Sequence, residues 1–201
     1  MIASPQPSLS VEDYLELEAQ SQTKHEYING EVYAMAGASD THVTIAGNLF
    51  ALLRNHLRGS GCRVYIADMK ARIAARNCFY YPDVMVTCDP QDQATPNYKQ
   101  FPKLIVEVLS DSTESFDRGD KFADYQTLPS LEEYVLINTR HQRVECFRRN
   151  ATGLWVLQFY LPETDLVELH SVGLTTTFTT LYEDVVLEPS RPPQSELNTT
   201  S

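Results

Sequence analysis

A chain of 201 residues with 42% hydrophobic side chains can close one ordinary core and is too short for several. Its net charge of −11 and pI near 4.8 exclude a broad basic surface of the kind that grips nucleic acid non-specifically, so any such contact must be local. Cys62, Cys78, Cys88 and Cys146 form no CxxC pair and no zinc-type spacing. They read as small buried side chains in a reduced compartment rather than a staple or a metal knuckle.

Residues 1–9 carry Pro5 and Pro7 among small polar residues and are expected to be loosely ordered, whereas Ser10-Val11-Glu12-Asp13 reads as a capping box opening a short helix to about Ala19. Asn29-Gly30, set between Glu26-Tyr27-Ile28 and Val32-Tyr33-Ala34, is a hairpin signal. From Thr41 to Leu57 the apolar residues Val43, Ala46, Phe50, Leu53 and Leu57 recur at helical spacing, and Gly59-Ser60-Gly61 supplies the stop. Strand-like runs follow at about 62–67, 69–75 and 79–87, and a fourth covers 103–110 after a polar loop from Asp89 to Pro102. Asp117 to Leu128 reads as an amphipathic helix ended by Pro129, with a strand at Glu133–Ile137 directly after it. Strand, helix, strand predicts a parallel crossover.

Beyond residue 140 the pattern predicts antiparallel strands at about 143–149, 154–161 and 165–170, then a short helix over Thr179 to Val186. Residues 1–187 are expected to form one domain, and the polar tail from Glu188 to be disordered. The predicted fold class is α/β (α+β): a mixed β-sheet flanked by helices, with additional antiparallel C-terminal strands. No stretch approaches the ~18 apolar residues that span a bilayer, and no leader-like segment opens the chain, so a cytoplasmic protein is expected.

Two acids stand out. Asp83 interrupts Phe79-Tyr80-Tyr81-Pro82-Asp83-Val84-Met85-Val86, and Glu107 interrupts Leu104-Ile105-Val106-Glu107-Val108-Leu109. An unpartnered buried carboxylate costs several kcal/mol, so each needs a cation, a donor or a metal. Taken singly, Asp83 reads equally well as a strand-end acid bonded to a turn. Glu107 reads as a site residue or as half of a buried ion pair with Lys121 or Arg72. Asp117, Lys121 and Tyr125 are spaced four apart and share one helix face, which lets Lys121 lean toward the strand ends.

Pro82-Asp83-Val84, Val106-Glu107-Val108-Leu109-Ser110, Asp117-Arg118-Gly119-Asp120-Lys121 and Glu133-Tyr134 together resemble the Uma family of restriction endonuclease-like proteins, a branch of the nucleases marked by Pro-Asp and then Asp or Glu, any residue, Lys. The resemblance runs from about Tyr27 to Ile137. It implies a restriction endonuclease-like core, DNA as partner and a magnesium or manganese cofactor. Leu109 stands where the general signature has its lysine, and the resemblance places that lysine at Lys121 on the following helix.

The resemblance thus implies catalytic Asp83, Glu107 and Lys121. Asp83 and Glu107, with the carbonyl of Val108, would be hard oxygen ligands suited to magnesium. Lys121 would orient water or stabilise charge developing on the phosphate. Glu31, His42, Asp68 and Lys70 are possible accessory residues. Their alternative readings are a hairpin-end charge for Glu31, a helix-start cap for His42 and a surface ion pair for Asp68 and Lys70. Arg140, Arg143, Arg148 and Arg149 could touch phosphate or lie solvated on strands. A homodimer is expected, with the 143–170 strands available for its interface. The competing reading is a non-catalytic nuclease-fold binding or assembly protein whose acids form a structural ion-pair network.

Overall fold

The computed structural model describes residues 8–187. The order is α1 (Val11–Gln20), β1 (His25–Ile28), β2 (Glu31–Ala34), α2 (Asp40–His56), β3 (Arg63–Ile66), β4 (Lys70–Ile73), β5 (Cys78–Tyr80), β6 (Val84–Thr87), β7 (Tyr98–Lys99), β8 (Pro102–Val108), α3 (Glu114–Arg118), α4 (Asp120–Tyr125), β9 (Glu133–Ile137), β10 (Val144–Arg149), β11 (Trp155–Tyr160), β12 (Val167–Leu169), β13 (Leu174–Thr176) and α5 (Phe178–Leu181). A larger sheet runs β11-β10-β9-β8-β6-β3, a smaller one β2-β1-β5-β4-β7, and β12-β13 forms a hairpin. This is the expected mixed sheet flanked by helices.

Local signals explain most element ends. Ser10 Oγ accepts from the Asp13 N–H at 3.1 Å while Asp13 Oδ2 accepts from the Ser10 N–H at 3.3 Å, which closes the capping box of α1. Asn29 and Gly30 take φ of 51° and 96°, the left-handed pair that a two-residue hairpin needs. Gly30 is further constrained, because a Cβ there would lie 2.4 Å from Ser8 Cβ. Leu9 N–H donates to Gly30 O and Tyr27 OH donates to Leu9 O, both at 2.9 Å, so Ser8 and Leu9 are tied down rather than loose. The rest of that expected loose segment, residues 1–7, and the expected tail at 188–201 lie outside the described residues.

The faces of β8 separate two cores. Leu104, Val106 and Val108 pack with Ile45, Leu49 and Leu53 of α2. Ile105 and Leu109 pack with Phe122 and Tyr125 of α4 and with Leu128. Period-2 alternation therefore turns Glu107 toward the α4 side. The crossover from β8 to β9 is parallel, with Val106 opposite Val135, as the strand-helix-strand order predicts.

Several expectations are corrected. The run 79–87 is two strands in two sheets, because Pro82 lacks the N–H a continuous ladder needs and the chain turns there. The run 69–75 ends at Ile73 in a short 3-10 turn over Ala74–Arg76. The helix expected at 117–128 begins at Glu114 and breaks at Gly119, whose φ of −109° and ψ of −104° are not helical. The strand expected at 165–170 pairs with β13 as a separate hairpin, and the last helix covers Phe178–Leu181.

The cysteine reading is overturned for one pair. Cys62 and Cys88 form a disulfide, while Cys78 and Cys146 are free and buried. The cause is register: β3 and β6 pair antiparallel with Arg63 opposite Thr87, so one step further sets Cys62 against Cys88. No helix among the described residues is long and apolar enough to cross a membrane.

Candidate active site

Antiparallel pairing sets Val84 of β6 opposite Val106 of β8, so Asp83 and Glu107 fall side by side one step beyond. Val108 N–H donates to Asp83 Oδ2 at 2.7 Å, and Asp83 N–H donates to Glu107 Oε2 at 3.3 Å. The backbone thus cross-ties the two acids. Asp83 Oδ2 also meets His42, while the other oxygen of Glu107, Oε1, faces Lys121 and Tyr125.

His42 approaches Asp83 from the first turn of α2. Its Nε2 lies 3.2 Å from Asp83 Oδ2. Ser39, not His42, caps that helix by accepting from the His42 N–H. Burial disfavours the charged imidazole, but the Asp83 carboxylate outweighs it and His42 titrates above its ordinary value. The buried His42 Nδ1 has no hydrogen-bond partner among the described residues.

Lys121 enters from α4, with a side chain 7% exposed. Its Nζ lies 2.9 Å from Glu107 Oε1, 3.3 Å from Glu26 Oε1 and 3.3 Å from Asp117 Oδ1. Arg72 is not the partner of Glu107, because it donates to Tyr98 OH and stacks on Phe79 and Tyr98. Tyr125 OH donates to the same Glu107 oxygen at 3.2 Å, so Asp117, Lys121 and Tyr125 converge despite the break at Gly119.

The charges do not balance. Burial drives Glu107 well above the usual carboxylate range, with the Asp117 and Asp83 carboxylates pushing the same way and Lys121 opposing. Burial also works against the charged lysine, yet Glu107, Glu26 and Asp117 outweigh it and hold Lys121 protonated. Three acids, Glu26, Glu107 and Asp117, therefore crowd one ammonium, and a fourth, Asp83, adjoins Glu107 and pairs with His42 at the rim.

Glu26 is the site residue that sequence reasoning missed. It follows Lys24-His25 and precedes only Tyr27-Ile28, so no apolar run marks it in the sequence as runs mark Asp83 and Glu107. Glu26 also borders a cleft of about 700 Å³ walled by Tyr33, Tyr80, Phe116 and Arg76. A neighbouring chain of contacts runs from Lys70 Nζ to Tyr81 OH at 3.1 Å and from Tyr81 OH to Glu18 Oε1 at 2.7 Å.

The other candidates lie apart. Glu31 is exposed at the hairpin end and accepts from Tyr33 OH. Asp68 is exposed and paired with Lys24. Arg140 binds Glu114, Arg143 lies beside Glu145, Arg148 binds Glu133, and Arg149 donates to the carbonyls of Gln126 and Pro129.

Asp83 and Glu107 offer hard oxygen donors of the kind that could hold magnesium or manganese, and the excess of acids fits a divalent cation. Among the described residues no three His, Cys, Asp or Glu side chains form a ready cage. That is compatible with magnesium, which takes one or two carboxylates and keeps its waters.

A mixed sheet with Pro-Asp leading one strand, a glutamate on the next and a lysine on the crossover helix defines a nuclease-fold protein. The chain belongs to the Uma2 family, described as "Putative restriction endonuclease", whose model matches residues 11–180. It is 39% identical over 180 residues to the uncharacterized protein slr1290 of Synechocystis sp. (strain ATCC 27184 / PCC 6803 / Kazusa), covering 90% of this chain and 94% of that protein. It is 34% identical over 171 residues to the uncharacterized protein sll1609 of the same strain, covering 84% and 96%. The fold matches the crystal structure of a "putative nuclease belonging to DUF820" from Anabaena variabilis ATCC 29413 with a TM-score of 0.71 and 15% identity, over 87% of this chain and 97% of that one.

Proposed function

We propose that this protein is a magnesium- or manganese-dependent endonuclease that hydrolyses phosphodiester bonds in DNA. The observation that carries the reading is the imbalance of acids and bases: three carboxyl groups surround Lys121, and a fourth, Asp83, stands beside Glu107 with His42 as the other base at hand. A purely structural network would place cations and acids in balance, since each unpaired buried charge costs several kcal/mol.

Asp83 and Glu107 would hold the cation, with the Val108 carbonyl as a further oxygen donor. A bound divalent ion supplies Lewis acidity toward the scissile phosphate and acidifies water. Lys121, held protonated by its three acids, donates hydrogen bonds to oxygen atoms that gain charge, and does not serve as a general base. Tyr125 and Asp117 position Lys121 and Glu107. His42 steadies Asp83 and is placed to pass a proton at the rim.

A second reading is favoured by the enclosure of Lys121, whose ammonium ties Glu26 and Glu107 together: a nuclease fold kept for binding or assembly without catalysis. One experiment separates them. Supercoiled plasmid incubated with the protein and magnesium or manganese is expected to be nicked, and Asp83→Ala, Glu107→Ala and Lys121→Ala each to abolish nicking. Nicking that survives all three substitutions rules out this site. Absence of nicking, with no heat on titration of either metal, establishes the non-catalytic reading.

A further inference from the structure

We infer that the cleft beside Glu26 receives one unpaired nucleobase of the DNA strand, and that it favours a base with an amino group on its pairing edge. The inference rests on the DNA reading above, because cleft and acidic cluster share a side chain. Glu26 Oε1 lies 3.3 Å from Lys121 Nζ, and the same residue lines the cleft. A nucleotide whose phosphate reaches Lys121 therefore carries its base past Glu26, one sugar away.

Strand register builds one wall. Glu26 of β1 pairs with Tyr33 of β2, and Tyr27 pairs with Phe79 of β5, so one step along Glu26 adjoins Tyr80. Tyr33, Glu26 and Tyr80 thus form one row on a face of the smaller sheet, a carboxyl group between two rings. Tyr80 is buried as the floor, where Phe116 meets it edge to face at 5.8 Å. Tyr33 is 49% exposed and its hydroxyl is anchored on Glu31, so its ring stands open to a flat partner. On the opposite wall Asp120, Ala123 and Asp124 share one face of α4, while Lys121 and Tyr125 reach Glu107 from another.

The polar groups choose the occupant. Asp124 is already engaged, accepting from Tyr80 OH at 2.6 Å and pairing with Arg76 at 3.4 Å. Asp120 makes no side-chain hydrogen bond or ion pair among the described residues, and Glu26 takes its partners Lys121 and the Tyr81 N–H on Oε1, which leaves Oε2 open. Acids outnumber the one cation lining the cleft, Arg76, so a phosphate is not the occupant. Carboxylates accept from the amino groups of cytosine, adenine and guanine, whereas thymine turns carbonyls toward them. The volume of about 700 Å³ is that of a site for a small organic ligand. In a duplex the pairing edge is occupied and the base is stacked, so entry requires a single strand or a base swung out of the helix.

Fluorescence anisotropy of end-labelled oligo-dC, oligo-dT and a mixed-sequence duplex of equal length, in calcium and with strand integrity checked on a gel, is expected to show oligo-dC bound tightest. Tyr33→Ala should weaken oligo-dC binding roughly tenfold, as loss of one stacked base does. Asp120→Ala should narrow the preference for oligo-dC over oligo-dT, a ratio that a change of overall charge alone does not move. Both side chains are exposed, so the melting temperature should hold. Equal binding of oligo-dC and oligo-dT overturns the proposal, as does oligo-dC binding no tighter than duplex or a Tyr33→Ala variant that binds like the wild type. Should Tyr33→Ala fail to fold, an unchanged ratio in Asp120→Ala overturns it independently. Tyr33-dependent binding of oligo-dC without plasmid nicking upholds the cleft and sinks only the hydrolytic reading; nicking without such binding does the reverse.

Discussion

The Lys121 ammonium lies 2.9 Å from Glu107 on the strand face where Leu109, two residues along, packs into the apolar core at 2% exposure. Position 109 is given over to the apolar cluster with Tyr80, Phe122 and Leu136, so the cation at Glu107 comes from another element. The α4 helix supplies it.

Removing that cation leaves Glu26, Glu107 and Asp117 facing one another. Lys121→Met is expected to abolish nicking and to lower stability by roughly 3–5 kcal/mol, as when a buried pair loses one partner. Adding Glu107→Gln should recover part of the stability in urea unfolding and none of the activity.

Magnesium or manganese is expected to raise the melting temperature of the wild-type protein by filling the acidic site. Asp83→Asn and Glu107→Gln should each remove most of that shift in a thermal melt with and without metal. An equal shift in both variants would place the cation elsewhere.

Thiol titration checks the cysteine pairing. Burial pushes the Cys78 thiol up to about 11 and raises that of Cys146 as well, so near neutral pH the folded protein should react slowly with a thiol reagent. Unfolding without reductant should expose two thiols, since Cys62 and Cys88 are joined. The bond closes a loop of sequence separation 26, and reducing it is expected to cost about 3.5 kcal/mol of stability by the chain-entropy argument.

Acid sensitivity has a legible source at Glu114. A hydrogen bond from Arg118, aided by Arg140, holds its carboxyl below the usual value. Because the folded pKa is depressed, its contribution is present above the unfolded value near 4.5 and is lost as pH falls through the folded one. Glu114→Gln should flatten the stability profile in that acid window, measured by denaturant unfolding across pH.

Much of this was readable from residue order. The hairpin at Asn29-Gly30, the capping box at Ser10 and the parallel crossover to β9 rest on local chemistry that survives in the fold. Asp83 and Glu107 drew notice because a charge inside an apolar run must be satisfied, and their adjacency follows from strand register. What escaped was non-local. Cys62 and Cys88 share no motif and meet only because β3 pairs with β6. The split of 79–87 into two sheets depends on partners that alternation cannot name, and Glu26 reaches Lys121 across the gap between those sheets.

That gap has a temporal meaning. Glu26 belongs to the smaller sheet and Glu107 to the larger, and Lys121 bonds both. During synthesis the acids leave the ribosome before the lysine that reconciles them, and neither sheet by itself carries the full set. The nascent chain therefore cannot assemble this cluster until α4 has docked across both sheets, and any later unfolding that parts them takes the cluster apart.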